Sequence, residues 1–306
     1  MLRPPRVDEA TAVAEVVNGY ARRVFGTDET TPAEVLTAWT SPGTDRERDV
    51  VVATDAEGRH VGYGYVIDAG RQHTDFWLQV VAHPPDPEVT TAVERWLERR
   101  SRQLARAGAV LRVSAASPDD DKKRLLAHEL GYRLVRHFFR MEIDLEERPP
   151  APEWPGAVSV RSFEPGADDH VAYEADMEAF QDHWGFVREP IEDWRHWILR
   201  EPFDPSLCFL VFEGEELAGF CMCPPHKEGQ PELAWVDNLG VRPAWRRRGI
   251  ALAMLRHAFA EFRTRGFRRA GLGVDGENTT GAVRLYERAG MQIARRWDQY
   301  EKSLDG

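Results

Sequence analysis

The chain has 306 residues, 42% hydrophobic and 30% charged, enough for two cores of about 150 residues each. Its formal net charge of −11 argues against nucleic-acid or anionic-membrane binding through bulk electrostatics. No apolar run reaches the roughly 18 residues of a membrane span, and nothing apolar follows Arg3 as a secretory signal requires. Three cysteines, Cys208, Cys221 and Cys223, are too few and too odd for a disulfide framework. A cytoplasmic chain with neither nucleic-acid nor membrane partners is expected.

Along the chain, landmarks of the first half recur in the second. Leu2-Arg3 opens the first half and Val160-Arg161 the second. Gly62 in Val61-Gly62-Tyr63 matches Gly219 in Ala218-Gly219-Phe220, 157 positions on, and Val81 matches Val241, 160 on. Gly131 in His128-Glu129-Leu130-Gly131 matches Gly290 in Glu287-Arg288-Ala289-Gly290, 159 on. A near-constant offset of this size indicates a duplicated domain, too long a unit for a solenoid. Between the copies, Pro149, Pro150, Pro152 and Pro155 make a semi-rigid extended linker. Domains of 1–148 and 149–306 are expected.

In the second copy 157–162 reads as a strand, 168–181 as a helix, and 191–200 as a short helix carrying Trp194 and Trp197. Strands 207–213 and 217–223 meet at the hairpin turn Gly214-Glu215-Glu216. One strand is expected over 232–241. A long amphipathic helix follows over 250–265, with Leu252, Leu255, Phe259 and Phe262 three and four apart. Strand 269–274, helix 280–289 and strand 292–302 close the copy. The fold class is α/β, a mixed sheet with helices on both faces. Cys221 and Cys223 alternate on one strand and share a face, but no nearby histidine cluster completes a ligand set, so no metal is expected.

The chemistry concentrates in Leu239–Ala251, where a strand ends, a short loop follows and a helix begins near Gly249. Amides at a helix start have no intrahelical partner, and the macrodipole leaves that end partly positive. Gly249 and Ala251 leave room for close approach, and Arg246, Arg247 and Arg248 stand immediately before. The combination suits a pyrophosphate. It is neither G-x-G-x-x-G nor a P-loop, because the glycine spacing and the Lys-Ser/Thr pair are both absent. On its own, the same segment also fits a solvated basic turn capping a helix.

Arg246-Arg247-Arg248-Gly249-Ile250-Ala251, led by Val241-Arg242-Pro243, resembles the [Q/R]-x-x-G-x-[G/A] signature of GCN5-related N-acetyltransferases. Asn278 through Met291, with Ala282-Val283-Arg284-Leu285-Tyr286-Glu287 at its centre, is similar to that family's second signature, with one extra residue after Asn278. The resemblance spans the second copy and, weakly, the first. It implies two tandem acyl-CoA N-acyltransferase domains and acetyl-CoA as co-substrate, its pantetheine arm inserted between splayed central strands. It further implies that backbone groups of Leu239, Gly240 and Val241 hold that arm and that amides from Arg247 to Ala251 hold the pyrophosphate. Asn278 would contact the arm, and Tyr286 would protonate the departing thiolate. A packed helix tyrosine is the alternative for Tyr286.

Proton removal from an attacking ammonium needs a base. Asp237, on the strand face of Trp235 and Leu239, is the candidate, with Glu232 as fallback; a strand hydrogen bond or an ammonium anchor are its other possible roles. Asp182, His183, Trp184, Trp194 and Trp235 are expected to line the acceptor side, although Trp194 and Trp197, three apart on a helix, can equally pack inward. In the first copy, Asp86, Pro87, Glu88 and Val89 stand where Arg246 to Gly249 stand in the second. Trp77 replaces Asp237 and Ala127 replaces Tyr286. The N-terminal copy is therefore expected to be degenerate, keeping the fold without a coenzyme A site. The layout is similar to tandem family members of the mycothiol synthase type, which acetylate a cysteinyl pseudodisaccharide.

The expected function is acetyl transfer to the primary amine of a small molecule by direct attack in the C-terminal domain. A non-catalytic acyl-CoA-binding regulator and a protein N-acetyltransferase are the alternatives. Monomer and homodimer stay equally open.

Overall fold

The computed structural model describes residues 1–156 and 158–305. The first half runs β1 (Leu2–Arg3), α1 (Ala10–Phe25), α2 (Pro32–Trp39), α3 (Arg46–Asp49), β2 (Val50–Thr54), β3 (His60–Asp68), β4 (Asp75–Ala82), α4 (Pro87–Leu104), β5 (Val110–Ala116), α5 (Asp120–Arg124) and β6 (Arg133–Asp144). The second runs β7 (Val158–Ser162), α6 (Asp169–Phe180), α7 (Ile191–Ile198), β8 (Phe209–Glu213), β9 (Glu216–Met222), β10 (Leu233–Val236), β11 (Asn238–Val241), α8 (Ile250–Thr264), β12 (Arg269–Asp275), α9 (Ala282–Arg288) and β13 (Gln292–Ser303). Residue 157, the first of the strand expected over 157–162, lies outside the described residues. No helix among those described is long and apolar enough to cross a membrane.

The chain forms two units. One comprises Met1–His137, Glu228–Gln230 and the segment from Arg296; the other comprises Phe138–Lys227 and Pro231–Arg295. The sequence cut near residue 148 falls inside the second unit, because most of β6 belongs to that unit's sheet while most of β13 belongs to the first unit's.

In the first unit, β1, β2, β3 and β4 pair antiparallel in order. β4 runs parallel to β5, and β13 lies antiparallel to β5, from Trp297 opposite Ala116 to Ser303 opposite Val110. Val93 and Leu97 of α4 are fully buried against Val51, Phe76, Leu78 and Leu111. Truncating such a leucine to alanine costs about 2–5 kcal/mol.

In the second unit, β10 pairs parallel with β12, and β12 antiparallel with β6. A separate antiparallel sheet runs β11-β9-β8-β7. Period-two alternation divides the side chains of β8 and β9 between two layers. Phe209, Val211 and Cys221 face α8, whose Met254, Leu255, Ala258, Phe259 and Phe262 are all fully buried at helical spacing. Leu210, Phe220 and Met222 face the α6–α7 layer with Tyr173, Met177 and Trp194. Each buried phenylalanine contributes about 2 kcal/mol relative to exposure.

The single strand expected over 232–241 breaks at Asp237. Leu233 to Val236 pair with Arg269 to Leu272, whereas Asn238 to Val241 pair with Met222 to Gly219. The chain therefore changes sheets within one residue.

Candidate active site

Past the Val236–Leu272 pair, β12 continues through Gly273 and Asp275 opposite Arg140 and Phe138 of β6, while β11 leaves with β9 as an edge strand. Two strands that start side by side thus diverge. Gly240 is obligatory in β11, since a Cβ there would lie 2.2 Å from the Phe220 ring. Leu239 and Val241 flank it, both partly buried against the α8 core.

At the end of β11 the loop turns into α8. Arg247 has φ 63° and Gly249 φ 90°, two left-handed residues in three. Sequence reasoning asked Gly249 for room; the structure shows open space there and a backbone conformation that L side chains rarely adopt. Ala253 N–H to Gly249 O is the first hydrogen bond of the helix. The amides ahead of it, including those of Ile250 and Ala251, are left for another acceptor, as in an anion-binding nest. The Ile250 side chain is itself core, 2% exposed.

The arginines divide their work differently from the expectation that all three flank an anion. Arg246 binds Val241 O (3.2 Å), Ala179 O (2.9 Å) and Asp182 Oδ2 (3.0 Å), fastening α6 to the end of β11. Arg248 pairs with Glu213 at 3.1 Å. Among the described residues only Arg247 of the three forms no ion pair, and it is exposed.

Asn278 follows β12, and its side-chain oxygen takes the Thr280 amide at 2.8 Å and the Thr280 hydroxyl. Its carboxamide NH2 is what remains for a ligand. Tyr286 on α9 is 8% exposed, and burial followed by the nearness of Cys221 pushes its proton affinity well above the usual phenol value. It therefore stays a neutral O–H, able to donate. Cys221 and Cys223 lie Sγ to Sγ at 3.6 Å, and all three cysteines are buried. Burial pushes the Cys208 thiol up to about 12 and the Cys223 thiol well above its ordinary value. Among the described residues no group of three His, Cys, Asp or Glu could hold a metal ion.

On the other side of the strand switch, Asp237 Oδ2 accepts from Arg200 Nη1 at 3.1 Å, and Oδ1 from the Trp235 indole at 3.2 Å. The Trp235 ring lies 5.6 Å from the Arg140 guanidinium and 5.2 Å from Lys227 Nζ, so cations of the protein already lie against it. His183 packs edge-on against Phe180 at 4.6 Å, and burial, aided by Arg246, lowers its pKa against the pull of Asp275 and Asp182. Trp184 lies 6.4 Å from Phe138.

Two of the acceptor-side residues are engaged within the protein. Trp194 is 1% exposed and packs in the core, where its indole donates to Asp176 Oδ2 at 2.7 Å. It lines no cleft because helix spacing turns it inward. Asp182 Oδ2 pairs with Arg246 Nη1 at 3.0 Å, with its side chain still 57% exposed.

Sequence reasoning missed Asp176, Glu189, Arg200 and Arg140. Burial raises Asp176 to about 6 and Glu189 to about 7, with Asp237 adding to the first and Asp176 to the second. Glu189 had a faint signal, an acid in the loop between two helices. Arg140 had none, since it arrives on a strand from the other half of the sequence.

The matching helix start in the first unit is closed by its own side chain. Asp86 caps α4, its Oδ1 accepting from Glu88 N (2.8 Å) and Val89 N (3.2 Å), and Pro87 has no amide to offer.

The model of the acetyltransferase (GNAT) family matches residues 170–291. A mycothiol acetyltransferase of Geodermatophilus obscurus is 32% identical over 79% of this chain and 78% of its own. One of Streptomyces scabiei is 36% identical over 62% of this chain, a match spanning only 61% of that relative's length. A GCN5-related N-acetyltransferase from Sphaerobacter thermophilus superposes with TM-score 0.79 at 30% identity, covering 99% of this chain and 95% of that one. A tandem GNAT protein from the clavulanic acid biosynthesis pathway shares the fold, with TM-score 0.73 at 16% identity over 99% and 98%. With its diverging strands and its open helix start, the chain belongs to the acetyltransferase (GNAT) family, in a tandem arrangement.

Proposed function

We propose that the second unit transfers acetyl from acetyl-CoA to the primary amine of a small molecule by direct attack. The departure of β11 from β12 at Asp237, next to the open amides of the α8 start, carries this reading. An extended arm can pair with the free edge of β11 while a diphosphate meets the amides from Arg247 to Ala251, with the Arg247 side chain adding charge. Acetyl-CoA fits this donor set and would supply the activated thioester carbonyl.

The chain's own residues then have separate tasks. Leu239, Gly240 and Val241 orient the arm through their backbone. Asp237, held by Arg200 at Oδ2, keeps a lone pair on Oδ1 to accept the ammonium and its proton. Tyr286, kept neutral by burial, delivers a proton to the departing sulfur. Buried thiols with raised pKa values make poor acyl carriers, which supports direct attack rather than an acyl-cysteine. In the first unit the Asp86 carboxylate and Pro87 fill the equivalent cradle, so that unit is assigned no coenzyme A site.

The test is release of free thiol from acetyl-CoA across an amine panel. Relatives named mycothiol acetyltransferase support putting first in that panel the cysteinyl pseudodisaccharide that the family resemblance implies. Binding without turnover on every amine would favour an acyl-CoA-binding regulator. Turnover on peptide N-termini alone would favour a protein acetyltransferase. Turnover of a small amine would support the small-molecule reading.

A further inference from the structure

Asp176 is 4% exposed in the middle of α6. Its Oδ2 accepts two hydrogen bonds, from Trp194 Nε1 on α7 at 2.7 Å and from Asn238 Nδ2 on β11 at 2.8 Å. One oxygen therefore joins three elements. Asn238 is the first residue after the strand changes sheets, and its neighbour Asp237 is tied to Arg200, two residues past the end of α7. Both residues at the switch are thus fastened, directly or through one atom, to the α7 region.

The surroundings reinforce the junction. Tyr173, three residues before Asp176 on α6, packs edge-on against Trp194 at 6.1 Å and donates to Glu189 O at 2.6 Å, which holds the α6–α7 loop. A buried carboxylate is costly unless its oxygens are satisfied. The sequence could have placed an apolar residue here, as it did at Ala172, Ala175 and Ala179 on the same helix.

We infer that Asp176 is a positioning residue, which through Asn238 fixes the direction in which β11 leaves β12 and locks that direction to the α6–α7 wall. The catalytic consequence rests on the function proposed above; the structural one does not. If the wall and the strand switch move as one piece, the reacting amine and the thioester are positioned by a single junction.

Because both bonds end on one oxygen, an amide with its oxygen in that place keeps them. Asp176→Asn is therefore the rescuing variant, and Asp176→Leu removes both bonds and strands two donors. Asn238→Ala cuts one arm alone and guards against a leucine variant that fails to fold. Hydrogen exchange of the full-length chain is read over 191–198 and 238–241, alongside kcat/KM for the amine. In Asp176→Leu, exchange rises at least tenfold in both segments and kcat/KM falls at least thirtyfold. In Asn238→Ala, exchange rises in 238–241 alone, and Asp176→Asn stays within threefold of the parent on both measures. Exchange needs no turnover, so a chain that acetylates nothing defeats the proposed function and leaves this comparison intact. The inference is overturned if Asn238→Ala keeps 238–241 protected, or if Asp176→Asn is as impaired as Asp176→Leu.

Discussion

Arg200 Nη1 donates to Asp237 Oδ2 at 3.1 Å, joining the segment after α7 to the one residue between β10 and β11. The carboxylate is held on one oxygen and shares the other with the Trp235 indole. An asparagine keeps an acceptor there but cannot take a proton. Asp237→Asn is expected to lower kcat/KM for the amine about 100-fold with an unchanged circular dichroism spectrum. A loss below threefold would restrict Asp237 to a structural tie.

In the proposed mechanism Tyr286 contributes its proton late, after the cofactor is bound. Tyr286→Phe is thus expected to reduce kcat about 100-fold while calorimetric affinity for acetyl-CoA stays within threefold. A large loss of affinity would instead make the tyrosine a binding group.

Asp86 caps α4 with two amide bonds. Asp86→Ala should destabilise the chain by about 1 kcal/mol in urea unfolding. Pro87 still lacks an amide, and Arg246 to Gly249 have no counterpart in charge, so no second binding event for acetyl-CoA should appear in the titration.

Glu189 carries a pH signature. Burial, with Asp176 and Asp193 adding repulsion, raises its pKa from 4.5 to about 7 in the folded chain. The folded state holds this proton more tightly than the unfolded one, so the contribution is fully present below about 4.5 and is lost as pH rises through about 7. Glu189→Gln removes that dependence. The variant's Tm should exceed the parent's at pH 8, with the gap closing toward pH 4.5.

Much of the second unit was legible because its periodicities are local. The helix at 250–264 follows from Leu255, Phe259 and Phe262, and the hairpin of β8 and β9 from Gly214 between two apolar runs. The break at Asp237 was not legible. Leu233 to Val241 reads as one extended run, and changing sheets alters which neighbour a strand pairs with more than its own composition. The placement of β6 and β13 was hidden for a related reason: a repeat shows that two segments correspond and is silent on which sheet each completes. The cradle was legible as Arg-Arg-Arg-Gly, but the division of its charges was not. The partners of Arg246 and Arg248, Asp182 and Glu213, are 64 and 35 residues away. Asp176 gave no signal, because a single acid on a helix normally faces solvent.

Titration of the intact chain with acetyl-CoA in a calorimeter tests the central claim most directly. One site per chain is predicted, abolished by Gly249→Glu, which adds bulk and negative charge where the diphosphate meets the helix amides. Absence of any binding heat in the parent chain, or a site that survives Gly249→Glu, would contradict the account.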